Sequence, residues 1–113
     1  MLLSGLMITF VSEFGLGIWL SSPLWLSLAI AITVLGQVAG ATEGWSRFDS
    51  FYWSFVTATT VGYGDVRPAK RTSKVIAIVI ALLGLTMTGI LIAVAVHAAT
   101  LALAAHDAAA KVR

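Results

Sequence analysis

The chain is 113 residues long, 59% hydrophobic and only 11% charged, with a net charge of +2 and no cysteine. A soluble domain carries about 25% charged residues, and a chain this short cannot hide so much apolar surface in one core, so lipid is the solvent the composition asks for and one small domain is the ceiling. The missing cysteines exclude disulfides and thiolate metal sites, and the small, scattered charge gives no footing for nucleic acid as a partner.

Residues 2–20 are apolar except for Ser4, Thr9, Ser12 and Glu13. Gly5, Thr9, Ser12 and Glu13 recur at helical spacing, giving a predicted helix one small or polar stripe. Such a stripe suits a helix lying in the membrane interface, and also a span that packs through small residues. The short Ser21-Ser22-Pro23 link and Glu13 favour the interfacial arrangement for residues 1–22. Glu13, and the lack of basic residues before the apolar run, argue against a cleaved leader.

Ser22 followed by Pro23 reads as an N-cap and first helical position. The second helix, about residues 24–40, has no charge and about enough length to cross a bilayer core of roughly 30 Å. Trp25 and Trp45 flank it, as aromatic side chains do at membrane–water boundaries. Gly36 and Gly40 form a small-xxx-small pair that fits either a tight helix contact or a loosened helix end.

Residues 46–59 are too few to span. Phe48, Phe51, Tyr52, Phe55 and Val56 recur at helical spacing, and Asp49 falls in the first turn, where the helix dipole favours an acid. A short helix followed by a Thr- and Gly-rich loop between two spans reads as re-entrant, because non-helical backbone at membrane depth must be buried in protein or line a water-filled path. Residues 75–105 are uncharged apart from His97. At about 1.5 Å per residue they would reach about 45 Å, so this helix must tilt, kink or protrude. Residues 106–113 form a polar tail. The expected fold is an all-α membrane protein: an N-terminal apolar helix, then an outer helix, a re-entrant helix with its loop, and an inner helix within residues 23–105.

The chemistry sits in Thr59-Thr60-Val61-Gly62-Tyr63-Gly64-Asp65. Replacing the hydration shell of a cation takes oxygen ligands, and backbone carbonyls supply them if successive residues alternate between ordinary and left-handed conformations. Glycine reaches positive φ without steric cost, which accounts for Gly62 and Gly64. Thr60 adds a side-chain oxygen, and Val61 and Tyr63 would point outward into surrounding protein. One chain supplies one wall only, so the site demands a ring of subunits.

The run Phe51-Tyr52-Trp53-Ser54-Phe55-Val56-Thr57-Ala58-Thr59-Thr60-Val61-Gly62-Tyr63-Gly64-Asp65, followed by Pro68 and set between two apolar spans, resembles the pore-loop cation channel family, specifically its potassium-selective two-helix members. The resemblance covers about residues 24–100. It implies a homotetramer in membrane lipid, with K⁺ held by Thr60, Val61, Gly62 and Tyr63 along a filter completed by Gly64. It implies no cofactor besides the permeant ion, and filter support from Tyr52, Trp53, Thr59 and Asp65. It places the filter side outside and the 106–113 tail in the cytoplasm, in the plasma membrane of a prokaryote. Two positions depart from the family pattern. Tyr52 stands where many members have tryptophan, facing the aspartate that is Asp65 here, and Val56 stands where some carry a carboxylate behind the filter.

In the inner helix, Gly84 falls where the family often bends; a hinge and a close helix contact both explain a mid-helix glycine. Leu85, Thr88, Ile92 and Val96 would face the axis, Thr88 in a water-filled cavity and Ile92 and Val96 at an apolar constriction that closes by dewetting. His97 is the ionisable group inside this span, a pH sensor or a side chain reaching the interface. Arg67, Lys70, Arg71 and Lys74 cluster after the filter, whereas Lys111 and Arg113 lie on the other side, against the usual excess of basic residues inside. A non-selective cation channel is disfavoured by Tyr63 and both filter glycines, and a non-conducting accessory subunit by the intact filter. No enzyme is expected, because Glu13, Glu43, Asp49, Asp65 and Asp107 are scattered and no nucleophile–base pair appears. No arginine-rich helix is present to sense voltage.

Overall fold

The computed structural model describes residues 2–112, with Leu2 described by its backbone alone. Met1, at the start of the expected N-terminal helix, and Arg113, at the end of the expected tail, lie outside the described residues. The element order is α1 (Leu2–Leu20), α2 (Ser22–Glu43), α3 (Arg47–Ala58) and α4 (Arg71–Val112). Within the described residues, 3 helices are long and apolar enough to cross a membrane, namely α1, α2 and α4. The chain is an all-α membrane protein.

Local chemistry sets these boundaries. At the α1–α2 break, the Ser21 N–H donates to Gly17 O at 3.0 Å, and its hydroxyl donates to the same oxygen at 2.7 Å. Pro23 then sits in the first turn of α2, where its missing N–H has no intrahelical partner to lose. The side chain of Ser46 caps α3 by accepting from Asp49 N at 3.1 Å, and Asp49 lies in the first turn as expected. Thr59 ends α3, its N–H donating to Phe55 O at 2.9 Å. α4 runs further at both ends than residues 75–105. It begins at Arg71 and continues to Val112, so the expected polar tail is helical through its described part. Ala104, Ala105, Ala108, Ala109 and Ala110 explain this, alanine being the strongest helix former.

The chain divides into two compact units, residues 24–88 and residues 2–23 with 89–112. In the first, Ile32, Ala39, Trp53, Ala58 and Ile80 are buried together, with Leu35, Trp45, Phe55 and Leu83 packed around them. The rings of Trp45 and Trp53 lie 5.1 Å apart. Gly36 and Gly40 make a tight helix contact. A methyl on Gly36 would come within 2.5 Å of Ser54 Cβ, and one on Gly40 would strike Ser50 Oγ. Both buried serines are satisfied locally, Ser50 donating to Ser46 O and Ser54 to Phe51 O, each at 2.8 Å. On the other side of α3, a methyl on Gly84 would overlap the Ala58 carbonyl. α3 is therefore gripped between α2 and α4 through glycines.

In the second unit, α1 packs along the last half of α4. Ala98 and Ala102 are buried, and a methyl on Gly17 would come within 2.6 Å of Val94 Cγ1. Thr9 and Glu13 of the predicted stripe are half-buried, whereas Gly5 and Ser12 are exposed.

Candidate functional site

The residues after α3 adopt the alternation that a one-sided carbonyl ladder needs. Thr60, Gly62 and Gly64 have φ of 64°, 57° and 80°, while Val61 and Tyr63 between them do not take positive φ. A methyl on Gly62 or Gly64 would meet open space, so backbone conformation, not room, demands glycine there. Thr60 is β-branched and takes the same conformation at a cost of about 1–3 kcal/mol, the kind of strain that clusters at functional sites.

Two hydrogen bonds hold the loop. Thr60 N donates to Thr57 O and Gly62 N to Val56 O, each at 3.2 Å. Both tie loop amides back to the last turn of α3, whose orphan carbonyls need donors. Among the described residues, no hydrogen bond takes the carbonyl oxygens of Thr60, Val61, Gly62 or Tyr63. An unpaired carbonyl is a ligand in waiting, since such groups seek a donor, water or a cation.

Of the expected support residues, Tyr52 and Asp65 are brought together. Desolvation and then the neighbouring Asp65 carboxylate push the Tyr52 phenol above its ordinary value, which keeps it protonated. Trp53 is 4% exposed and packs on Trp45 in the core of this unit. The Thr59 hydroxyl donates to Phe55 O at 2.6 Å and belongs to the helix end. Val61 and Tyr63 are exposed in the single chain. With Phe48, Phe51, Tyr52 and Phe55 they line an open aromatic groove of about 350 Å³, an apolar face of the kind that marks a protein–protein contact.

Glu43 has a structural role that the sequence reading did not assign to it. Its Oε1 accepts from Ala69 N at 2.5 Å and from Lys70 N at 2.8 Å, and Lys70 Nζ donates to Thr42 O at 2.7 Å. The acid of α2 thus serves the amides entering α4, and the base entering α4 serves a terminal carbonyl of α2. This is reciprocal capping with both charges on the favourable helix pole. The sequence did hold a signal: an acid ending a helix opposes that helix's own dipole, so it needs a partner elsewhere. Lys70, one of the four clustered basic residues, has its ammonium committed to this contact.

Along α4, the Ala58 contact accounts for Gly84 by close packing, and the helix is unbroken through it. The Thr88 hydroxyl donates to Gly84 O at 3.1 Å. Leu85, Ile92 and Val96 are each more than half exposed, on one helical face by their spacing. His97 is exposed. Among the described residues, no group of His, Cys, Asp and Glu side chains converges to hold a metal.

The family model described as "Ion channel" matches residues 6–100. A Caenorhabditis elegans protein named TWiK family of potassium channels protein 7 is 44% identical over 69 residues, covering 58% of this chain and 12% of that protein. A voltage-gated potassium channel of Aeropyrum pernix is 53% identical over 47 residues, 42% of this chain and 16% of the relative. Human potassium channel subfamily K member 2 is 32% identical over 62 residues, 55% of this chain and 15% of the relative. The chain therefore spans less than a fifth of the length of each of these relatives. No solved structure matches it.

Proposed function

The chain belongs to the ion-channel family matched over its residues 6–100, and from that premise we propose that it is one subunit of a homotetrameric, potassium-selective channel. The observation that supports this reading is the loop itself: positive φ at Thr60, Gly62 and Gly64, with the intervening carbonyls unpaired. Four such loops around an axis would offer K⁺ successive rings of carbonyl oxygens from Thr60, Val61, Gly62 and Tyr63, replacing its hydration shell as it passes. The Thr60 hydroxyl would add a ring below. Val61 and Tyr63, with the aromatic groove beside them, would pack against the neighbouring subunit and set the diameter of the ring.

Around this filter the remaining residues have supporting roles. The Tyr52 phenol, set near the Asp65 carboxylate, would tie α3 to the end of the loop, and the Glu43–Lys70 exchange ties that loop to α2. Thr88 would line the cavity, and Ile92 and Val96 would form the apolar constriction.

Liposome flux tests the reading. K⁺ should pass far faster than Na⁺, and Ba²⁺ should block. Gly64→Ala, which loses easy access to positive φ, should abolish selective flux. Mass measurement in mild detergent should give four subunits. Normal selectivity in Gly64→Ala, or a conducting monomer, would overturn the proposal.

A further inference from the structure

Two long stretches of this chain each hold a single ionisable side chain. Residues 2–20 carry Glu13 alone, and residues 75–105 carry His97 alone. Both lie in helices of membrane-crossing length and composition, where such a group is costly and marks function by default.

The packing of α1 on α4 brings the two to one level. A methyl on Gly17 would come within 2.6 Å of Val94 Cγ1, and Thr9 lines a cavity with Ala102. Numbering therefore falls along α4 as it rises along α1, and the two helices run antiparallel. Glu13 stands four residues before Gly17, and His97 three residues after Val94. On a helix, either spacing keeps the same face and moves about one turn. In an antiparallel pair both steps point the same way, about 6 Å along α1 and about 4.5 Å along α4. Glu13 and His97 thus stand together one turn on from the Gly17–Val94 contact. Glu13 is half-buried, like Leu6, Phe10 and Gly17 on the same face of α1, whereas His97 is exposed beside the buried Ala98.

No other group is placed to serve Glu13. α1 has no second titratable side chain. The next ones along α4, His106, Asp107 and Lys111, begin nine residues past His97, about 14 Å further on. Among the described residues, the ion pair within reach is His106 with Asp107, at 3.9 Å. Glu13 and His97 are therefore not in contact in this arrangement, and a rotation of the His97 side chain towards α1 is the movement that would join them. The seam has little else to fix it, since Ala98 and Ala102 offer only methyl groups and Gly5 and Gly15 meet nothing within 4 Å.

We propose that Glu13 and His97 form a proton-operated clasp across the α1–α4 seam. Protonated His97 donates to the ionised Glu13 carboxylate, a charge-assisted hydrogen bond that offsets the cost of keeping either charge out of water. Histidine gains its proton as pH falls from about 8 to about 5, a range in which an ordinary carboxylate stays ionised. The clasp therefore closes towards acid and opens towards base, and α1 is held on α4 only while it is closed. This device goes beyond ion conduction and does not depend on it.

The test uses the full chain in liposomes. It has no cysteine, so Ile8→Cys and Thr100→Cys, both at exposed positions, accept one spin label on each helix. Labelled chains are diluted with unlabelled ones so that the distance measured lies within one chain. The population with α1 close to α4 should be several-fold larger at about pH 5.5 than at about pH 8.5. Glu13→Gln and His97→Gln should each abolish that difference. The exchange of Glu13→His with His97→Glu should restore it, which a merely structural role for either residue would not do. His106→Gln should leave it intact. Equal populations at both pH values in the unmodified protein overturn the proposal, as does a pH response that survives His97→Gln or vanishes in His106→Gln. Should Glu13→Gln fail to fold, His97→Gln at its exposed position still decides. No arm measures flux, so the clasp and the K⁺ reading fail separately.

Discussion

In residues 24–88, Gly36, Gly40 and Gly84 each stand where one methyl group would strike a neighbour: Ser54, Ser50 and Ala58 in turn. In residues 2–23 and 89–112, Gly5, Gly15 and Gly89 meet nothing within 4 Å, and Gly17 alone approaches a side chain, that of Val94. Both units are built from apolar helices with small residues at intervals, yet the same residue type does opposite work. Around α3 it draws backbones into contact and fixes the helix from which the loop of residues 59–65 hangs. Along α1 it leaves room. A small-residue pattern therefore reports that close approach is permitted, and only the partner's shape says whether it is used.

The largest effect expected from this difference is at Gly84. Ala there drives Cβ into a backbone carbonyl that cannot rotate aside, so Gly84→Ala should cost about 3 kcal/mol by overpacking, read as a lower unfolding temperature in detergent. Gly40→Ala should cost less, about 2 kcal/mol, because the atoms it strikes, Ser50 Oγ and Cβ, belong to a side chain and not to the backbone. Unchanged stability in both variants would mean that α3 is not gripped by glycines.

The Glu43–Lys70 exchange sharpens the same contrast, since it secures residues 24–88 where the end of α2 meets the start of α4. Glu43→Ala removes the acceptor for two amides and frees the loop behind Asp65. On the proposed K⁺ reading, the expected result is a current that declines several-fold faster during sustained opening, with Glu43→Gln, which keeps one oxygen acceptor, in between. Identical time courses in all three proteins would show that the exchange does not steady the filter.

Local signals made much of this legible in the sequence. The Ser46 cap, Asp49 in the first turn and the Gly62 and Gly64 positions are each decided within a few residues, and the expected short helix and loop agree with the structure there. Long-range contacts were not legible. Gly36 and Gly40 fitted two readings because a glycine does not name its partner, and the Ser50 and Ser54 that meet them lie ten or more residues away. Gly84 likewise fitted a bend or a contact until Ala58 was placed beside it. Glu43 carried a signal in its clash with its own helix dipole, but its acceptor role depends on amides 26 and 27 residues distant. The extension of α4 to Val112 was masked by reading polar residues as a tail, although the alanines around them favour helix.

Gly17 is the glycine of residues 2–23 and 89–112 that does approach a side chain, so it tests whether the two units differ in kind or in degree. A methyl there would sit 2.6 Å from Val94 Cγ1, the tip of a side chain that can give way by shifting its helix slightly. Gly17→Ala should cost about 1 kcal/mol, at the low end for an added methyl group. The double variant Gly17→Ala with Val94→Ala should recover that part of the loss, because the atom in the way is gone. A cost as large as that of Gly84→Ala would mean that the α1 seam is as rigid as the grip on α3.

The smallest effect, and the one with opposite sign, belongs to Gly15. It is exposed on α1 with nothing within 4 Å, so alanine adds no clash and removes the conformational freedom that glycine keeps in the unfolded chain. Gly15→Ala should stabilise by about 0.5–1 kcal/mol, the usual penalty of glycine in a helix. The change in sign relative to Gly84→Ala, made by the same substitution in two helices of one chain, isolates contact from propensity. If Gly15→Ala instead lowers the unfolding temperature, a surface outside the single chain must cover that face of α1. The neighbouring subunit is then the candidate, and lipid is not, because fluid acyl chains move aside for a methyl group whereas a packed helix does not.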